Sequence, residues 1–177
     1  MVLGVTGFRD QRCHHLVVAD AIAEERAAAL REQIDAAGFA PFYEPDRARC
    51  EINCEHSEPA LFDELRGLAE RICERPLRVA RARWLRLRHR DYALLKADAR
   101  DRIEETHVEV MLDLSARATE QADVIYTDGR ESWVVAQRPR SVVVVEREPW
   151  LFRYERYLNV QVQAATVYRL RLALLFG

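Results

Sequence analysis

At Leu77 the hydrophobic period of this chain changes from about 3.6 to about 2, and it stays there to the C-terminus. Helical and strand periods put side chains on incompatible faces, so the switch divides the sequence into a helix-bearing first part and an all-strand second part. The segments "LRVARARWLRLRH", "THVEVMLDLS", "ADVIYT", "SWVVAQ", "SVVVVERE", "YLNVQVQ" and "VYRLRLALLF" read as seven short strands. Turn material such as "TDGRES" and "QRPR" separates them. Seven strands preceded by two helices point to an α+β, mainly β fold. Its expected form is a β-sandwich or jelly roll with the helices covering one sheet.

The helices have recognisable ends. In "HHLVVADAIAEERAAALREQIDAAGF" a strand leads into an amphipathic helix, with Asp20 as N-cap and Gly38 at the C-terminal end. In "SEPALFDELRGLAERICERP" Ser57 caps, Pro59 occupies the first turn, and Leu61, Phe62, Leu65, Leu68, Ala69 and Ile72 recur at helical spacing. Pro76 ends this second helix. At 177 residues the expectation is one domain, 1–177, with helical support over 18–76 and a β core over 77–177.

The last strand shows how such a core packs. Alternation in "TVYRLRLALLF" sets Tyr168, Leu170, Leu172, Leu174 and Phe176 on one face, and Val167, Arg169, Arg171 and Ala173 on the other. The leucine face suits the apolar stripes of the helices. The two guanidiniums point either to solvent or into the mouth of a barrel, where a rigid donor fork suits a carboxylate or phosphate.

Composition removes several function classes. An apolar fraction of 49% with only six glycines and six prolines excludes disorder and fibrous repeats. The longest apolar runs are too short to span a bilayer, and no basic-then-apolar leader opens the chain. Four cysteines without a leader read as free thiols in a reducing compartment, so a cytoplasmic protein is expected. The stretch "RPLRVARARWLRLRHRD" holds seven arginines, yet the net charge is −2 and no aromatic base-stacking motif is present, which argues against nucleic acid. Gly-rich phosphate loops, nucleophile elbows and Cys-His pairs are also missing from the sequence.

In the order of its parts the chain resembles the iron(II)/2-oxoglutarate-dependent oxygenases, in particular their prolyl-hydroxylase-like branch. The resemblance runs from about His15 to Phe176. "HHLVVADAIAEERAAALREQI" is similar to the family's first strand and support helix. "WLRLRHRDYALLKADARD" is similar to the strand and loop that carry its His-x-Asp motif, and "RYLNVQVQAATVYRLRLAL" to the segment with the distal histidine and the cosubstrate-binding basic residue. The resemblance implies a double-stranded β-helix. It also implies two histidines and a carboxylate on one face of Fe(II), with 2-oxoglutarate beside them.

The chemical residues depart from that pattern. Lys96, Ala97 and Asp98 stand where His-x-Asp would fall; Tyr157, beside Arg156, stands at the distal histidine. A protonated lysine has no lone pair for a metal. Val167 falls at the basic position, and Arg169 follows two residues later on the same face, with Arg171 behind it; these are the candidate anion-binding residues. The resemblance therefore implies a degenerate metal site. On this reading Lys96 and Asp98 form a salt-bridged remnant, Tyr157 and Tyr154 line a cavity, and the protein binds a small carboxylate or a peptide without cofactors. The alternative is an active dioxygenase in which Asp98 and an out-of-pattern histidine bind Fe(II) beside 2-oxoglutarate. A purely structural interaction domain is a third reading.

Plainer accounts compete at each residue. Lys96, the only lysine in the chain, also fits a solvated loop position. Asp98 also fits a turn-forming loop aspartate. His89 and His107 could offer imidazoles, but His107 alternates with Val108, Val110 and Leu112, which sets it on the expected solvent face. Cys50, Cys54 and His56 raise a zinc reading, but a closed site needs four ligands and no second cluster follows. The sequence leaves partner and oligomeric state open.

Overall fold

The computed structural model describes residues 8, 12–53, 59–101, 103–158 and 166–177. In chain order its elements are β1 (His15–Val18), α1 (Glu24–Ala37), β2 (Ala40–Glu44), β3 (Arg47–Asn53), α2 (Pro59–Cys73), β4 (Leu77–Leu87), β5 (Tyr92–Ala93), α3 (Leu95–Asp101), β6 (His107–Asp113), β7 (Val124–Thr127), β8 (Ser132–Val135), β9 (Val142–Arg147), β10 (Phe152–Glu155) and β11 (Val167–Phe176). The strands form one antiparallel sheet in the order β1-β9-β6-β11-β4-β3-β5-β10-β7-β8, with β2 paired to β3. Ion pairs show that this sheet is rolled. Glu155 on β10 reaches both Arg169 on β11 and Arg49 on β3, although β10 and β11 stand well apart in strand order.

Strand alternation separates the two faces. Leu170, Leu172 and Leu174 of β11, Val108, Val110 and Leu112 of β6, and Val142 and Val144 of β9 share one buried cluster with Ala27, Leu30 and Ile34 of α1 and Leu61, Phe62, Leu65, Ala69 and Ile72 of α2. Burying a leucine-sized side chain is worth about 1.5–3 kcal/mol, so this layer dominates the stability of the fold. The helices are thus the cover of one face of the sheet, as their stripes require.

The sequence-level expectations need four corrections. Helix α1 starts at Glu24 with Ala23 before it; Asp20 lies in a preceding turn at φ 48° and caps nothing. The paired acids Glu24 and Glu25 suit the positive helix end. The region 18–76 is not helical throughout, because β2 and β3 lie within it and β3 joins β4 to β5. "DYALLKADARD" is not a loop, since α3 begins at Leu95 and the amides of Ala97 and Asp98 both bond the Leu94 carbonyl. The strand before β11 is β10, at Phe152–Glu155; the expected strand over 157–163 begins with non-strand Tyr157 and Leu158 and otherwise lies outside the described residues. Ser57, Cys54 and His56 also lie outside them.

Candidate functional site

The inner face of the rolled sheet carries charge. Registers β11–β4, β11–β6 and β6–β9 place Arg169 level with Leu85 and Asp113, Arg171 level with Arg83 and Met111, and Ala173 level with Arg81 and Glu109, which is itself level with Val145. In this inward set Arg169, Arg171, Glu109 and Asp113 are buried. Apolar clusters flank the charges: Met111, Val124, Tyr126, Val143 and Leu151 on one side, Leu85, Leu87, Leu158 and Val167 on the other.

Helix α3 brings in the carboxylate that the sequence singled out. Residues two apart on a helix face about 200° apart, so Asp98 turns inward, 4% exposed, while Lys96 stays exposed on the outer side. Asp98 accepts two hydrogen bonds from the Arg147 guanidinium, at 3.1 and 2.7 Å, and one from the Arg153 amide at 2.8 Å; the Arg153 guanidinium lies 3.1 Å away. The expected Lys96–Asp98 salt bridge is replaced by this double arginine clamp, because the helix points the two side chains apart.

Glu109 and Glu155 hold the rest together. Glu109 takes Arg147 at 3.1 Å, Arg153, Arg171 at 3.4 Å, and the Tyr126 hydroxyl at 3.2 Å. Glu155 takes Arg169 at 2.9 Å, Arg49 at 3.3 Å, and Arg171. Arg49 also pairs with Glu51, which reaches Arg83 at 3.4 Å. Burial alone would raise these carboxyls, but the surrounding guanidiniums more than offset it, and Asp98, Glu109 and Glu155 all titrate below the usual range. Arg171 is pushed down to about 10, by burial first and by the neighbouring Arg153 charge next.

Other predicted site residues fall elsewhere. Arg169 and Arg171 do grip an anion, but it is this chain's own Glu155. Tyr157 is 50% exposed and lies edge-on to His89, so it does not line the interior; Arg156 beside it is exposed as well. His107 is buried rather than solvent-facing, because the face of β6 opposite its valines is the rolled interior. Burial also holds its imidazole below the usual pKa, and its Nδ1 lies 3.0 Å from the Glu105 carbonyl.

Two spaces are of interest. A cavity of about 40 Å3 is walled by Arg81, Arg83, Asp98, Ile103, His107, Glu109, Arg147, Arg153, Arg171 and Ala173. A wider cleft of about 800 Å3 lies outside it, where Lys96 and Tyr154 face Asp46, Thr127 and Ser132 beside the half-exposed Leu94 and Leu95.

Among the described residues the carboxylates nearest the expected motif are engaged by arginine. Asp98, Glu109 and His107 share the small cavity, but no group of three or more metal-ligating side chains converges among the described residues. Both carboxylates are already saturated by guanidinium. A divalent ion on Asp98 would sit about 4 Å from a guanidinium, a repulsion of about 8 kcal/mol per arginine at an effective dielectric of about 20.

Glu109, Arg147, Arg153, Glu155 and Arg49 were missed from sequence. The available signal was a charged residue within a strand that is otherwise mostly apolar, as Glu109 in "HVEVML" and Arg147 in "VVVVER". Its meaning depended on knowing that both sheet faces are covered.

No family model matches the sequence, and no curated protein matches it significantly. Solved structures match the fold. An oxidoreductase of the 2OG-Fe(II) oxygenase family from Burkholderia pseudomallei superposes with a TM-score of 0.71 at 13% identity, over 90% of this chain and 84% of the other. A Pseudomonas putida prolyl-4-hydroxylase gives 0.64 at 11% identity, over 92% of each chain. HygX from Streptomyces hygroscopicus, solved with nickel and 2-oxoglutarate bound, gives 0.64 at 12% identity, over 90% and 82%. The fold is therefore the jelly roll of the 2-oxoglutarate/Fe(II) oxygenases, with helices packed on one sheet.

Proposed function

We propose that this chain is an oxygenase-fold protein in which a buried guanidinium–carboxylate network stands where the fold's relatives keep a metal, and that it acts as a ligand-binding or scaffold protein. The observation that carries this is the clamp on Asp98. The one carboxylate in the expected motif gives its oxygens to Arg147 and Arg153, which bring positive charge to the point a cation would need. The binding surface on this reading is the outer cleft, whose size suits a small molecule or a short peptide and whose Lys96 ammonium would take a carboxylate. The buried thiols of Cys13 and Cys73, free in the structure, favour a cytoplasmic setting.

A second reading, an active dioxygenase for a protein or small molecule, is favoured by HygX, whose structure holds nickel and 2-oxoglutarate in the same fold. On that reading Asp98 and His107 would contribute to the iron site and Arg169 or Arg171 to cosubstrate binding. Anaerobic titration with Fe(II) and 2-oxoglutarate separates the two. Under the network reading neither binds and no metal-to-ligand charge-transfer band develops. A stoichiometric band would establish the oxygenase instead.

A further inference from the structure

The turn that joins β4 to β5 meets the chain leaving β10 at the protein surface. The Arg90 amide donates to the Leu158 carbonyl and the Leu158 amide to the Asp91 carbonyl, each at 2.9 Å, and the His89 and Tyr157 rings stand edge to face with centroids 6.3 Å apart. These contacts bring Arg88, Arg90 and Arg156 to the neighbourhood of a tyrosine that is 50% exposed. All three arginines are exposed, and none has a side-chain hydrogen bond or an ion pair among the described residues.

The acids nearest in sequence do not match this charge at the surface. Asp91 is 7% exposed and accepts from the Arg88 amide at 2.7 Å, and burial pushes its carboxyl above the usual range. Glu155, beside Arg156 in sequence, is turned inward to Arg49, Arg169 and Arg171. The backbone adds a separate observation. Arg90 holds φ 74°, a left-handed conformation that disfavours any residue with a Cβ and suits glycine. Arg140 shares that conformation but ties its guanidinium to Asp20 and Glu24, whereas Arg90 has no such contact. An arginine held where glycine would be less strained, with a side chain bonded to nothing in its own fold, points to a ligand outside it.

The side chains define that ligand. Guanidinium forks pair with carboxylate or phosphate, and arginine and tyrosine are among the residues most enriched where binding energy concentrates at protein interfaces. A nucleic acid calls for a track of cations against successive phosphates, but this patch is one turn and one strand end on a chain of net charge −2. We propose that Arg88, Arg90, Arg156 and Tyr157 form a docking surface for an acidic segment of a partner polypeptide. Its carboxylates take the guanidiniums, and an apolar side chain lies against the Tyr157 ring. None of these four residues lines the inner cavity or the outer cleft, so the surface is independent of what either space holds.

Fluorescence anisotropy of the full chain tests this, with a short fluorescein-labelled peptide of aspartates flanking one phenylalanine as the probe. The same peptide with asparagine for aspartate and a labelled oligothymidylate serve as comparisons. The acidic peptide should bind saturably and more weakly as salt is raised, and the asparagine peptide should not bind. Arg90→Glu combined with Arg156→Glu should weaken binding by roughly tenfold or more, while Tm stays near that of the unaltered protein because both positions are exposed. Arg90→Gly should lower affinity with Tm unchanged or raised. Absence of saturable binding to the acidic peptide would overturn the proposal, as would binding that survives the double charge reversal. Tighter binding to oligothymidylate would make the patch a nucleic-acid surface instead, and a fall in Tm for Arg90→Gly would show that the arginine serves the fold.

Discussion

Replacing Asp98 by alanine should unfold the protein far more readily, and the size of the loss distinguishes a structural ion pair from a metal ligand awaiting its metal. Asp98 is 4% exposed and accepts from two arginines, three of the contacts being hydrogen bonds of 2.7–3.1 Å. Its removal leaves the Arg153 amide without its acceptor and takes two hydrogen bonds from Arg147, and both guanidiniums must then share Glu109 in a buried interior. Deleting one partner of a buried pair costs about 3–5 kcal/mol because the other charge stays buried and uncompensated. For a chain of this length each kcal/mol moves Tm by about 2–4 °C, so a fall on the order of 10 °C is expected. The assay is urea and thermal unfolding in the presence of a chelator. A carboxylate kept for iron would behave oppositely, since functional sites are held at a cost and truncating a ligand in the metal-free protein leaves stability unchanged or raises it. The double variant Asp98→Leu with Arg147→Met should recover much of the loss, because paired charges can be exchanged for apolar groups of similar volume. If Asp98→Ala unfolded within about 0.5 kcal/mol of the unaltered protein, the surface-like range for a substitution, the clamp would be incidental and the argument wrong.

Stability should fall with acid in two stages that urea midpoints between pH 7 and pH 3 would resolve. Asp98, Glu109 and Glu155 have folded pKa values below their unfolded ones, so their contribution is complete above the unfolded range near 4 and is lost as pH drops through the folded values. His107, whose folded pKa is also depressed, takes up its proton more readily when unfolded, so an earlier loss sets in below about 6.5 and should vanish in His107→Gln. Lys96→Ala should change stability by less than about 0.5 kcal/mol in the same urea assay, because the ammonium is exposed on the outer side of α3. Tyr126→Phe should cost about 1.5–3 kcal/mol by urea unfolding, since its buried hydroxyl donates to the Glu109 carboxylate at 3.2 Å.

Period and capping made much of the fold legible. The division between β11's leucine face and its arginine face could be read from "VYRLRLALLF" alone, as could the stripe of α2. The hairpin β2–β3 was not, because "APFYEPDRARCEIN" has no clean alternation of apolar and polar residues: its burial is irregular, with Tyr43 exposed and Arg47 and Arg49 buried. The site was harder still. A strand such as "HVEVMLD" looks half-exposed when only one face is assumed to be covered, and His107 and Glu109 then seem solvated. Every residue of that strand is in fact buried. Asp98 could be singled out because the resemblance puts the family's His-x-Asp at Lys96, Ala97 and Asp98, but its partners Arg147 and Arg153 lie 49 and 55 residues further along the chain. Only the roll of the sheet makes them neighbours.

The network also gives the interior a structural reason to hold so much charge. Side chains alternate along a strand, so slipping β11 by one residue against β4 and β6 would carry Arg169 and Arg171 into the leucine layer beneath the helices and turn Leu170 and Leu172 toward Glu155 and Glu109. An all-leucine strand would tolerate that slip, because either face could serve as core. With two guanidiniums on one face the alternative strands buried charge among hydrocarbons, which costs several kcal/mol per ion. Glu155 extends the same constraint across the interior, since it must meet Arg169 and Arg171 of β11 and Arg49 of β3 at once. The ion pairs therefore do for register and closure what a bound metal does for ligands from distant strands. They draw β3, β6, β9, β10, β11 and α3 to a common centre.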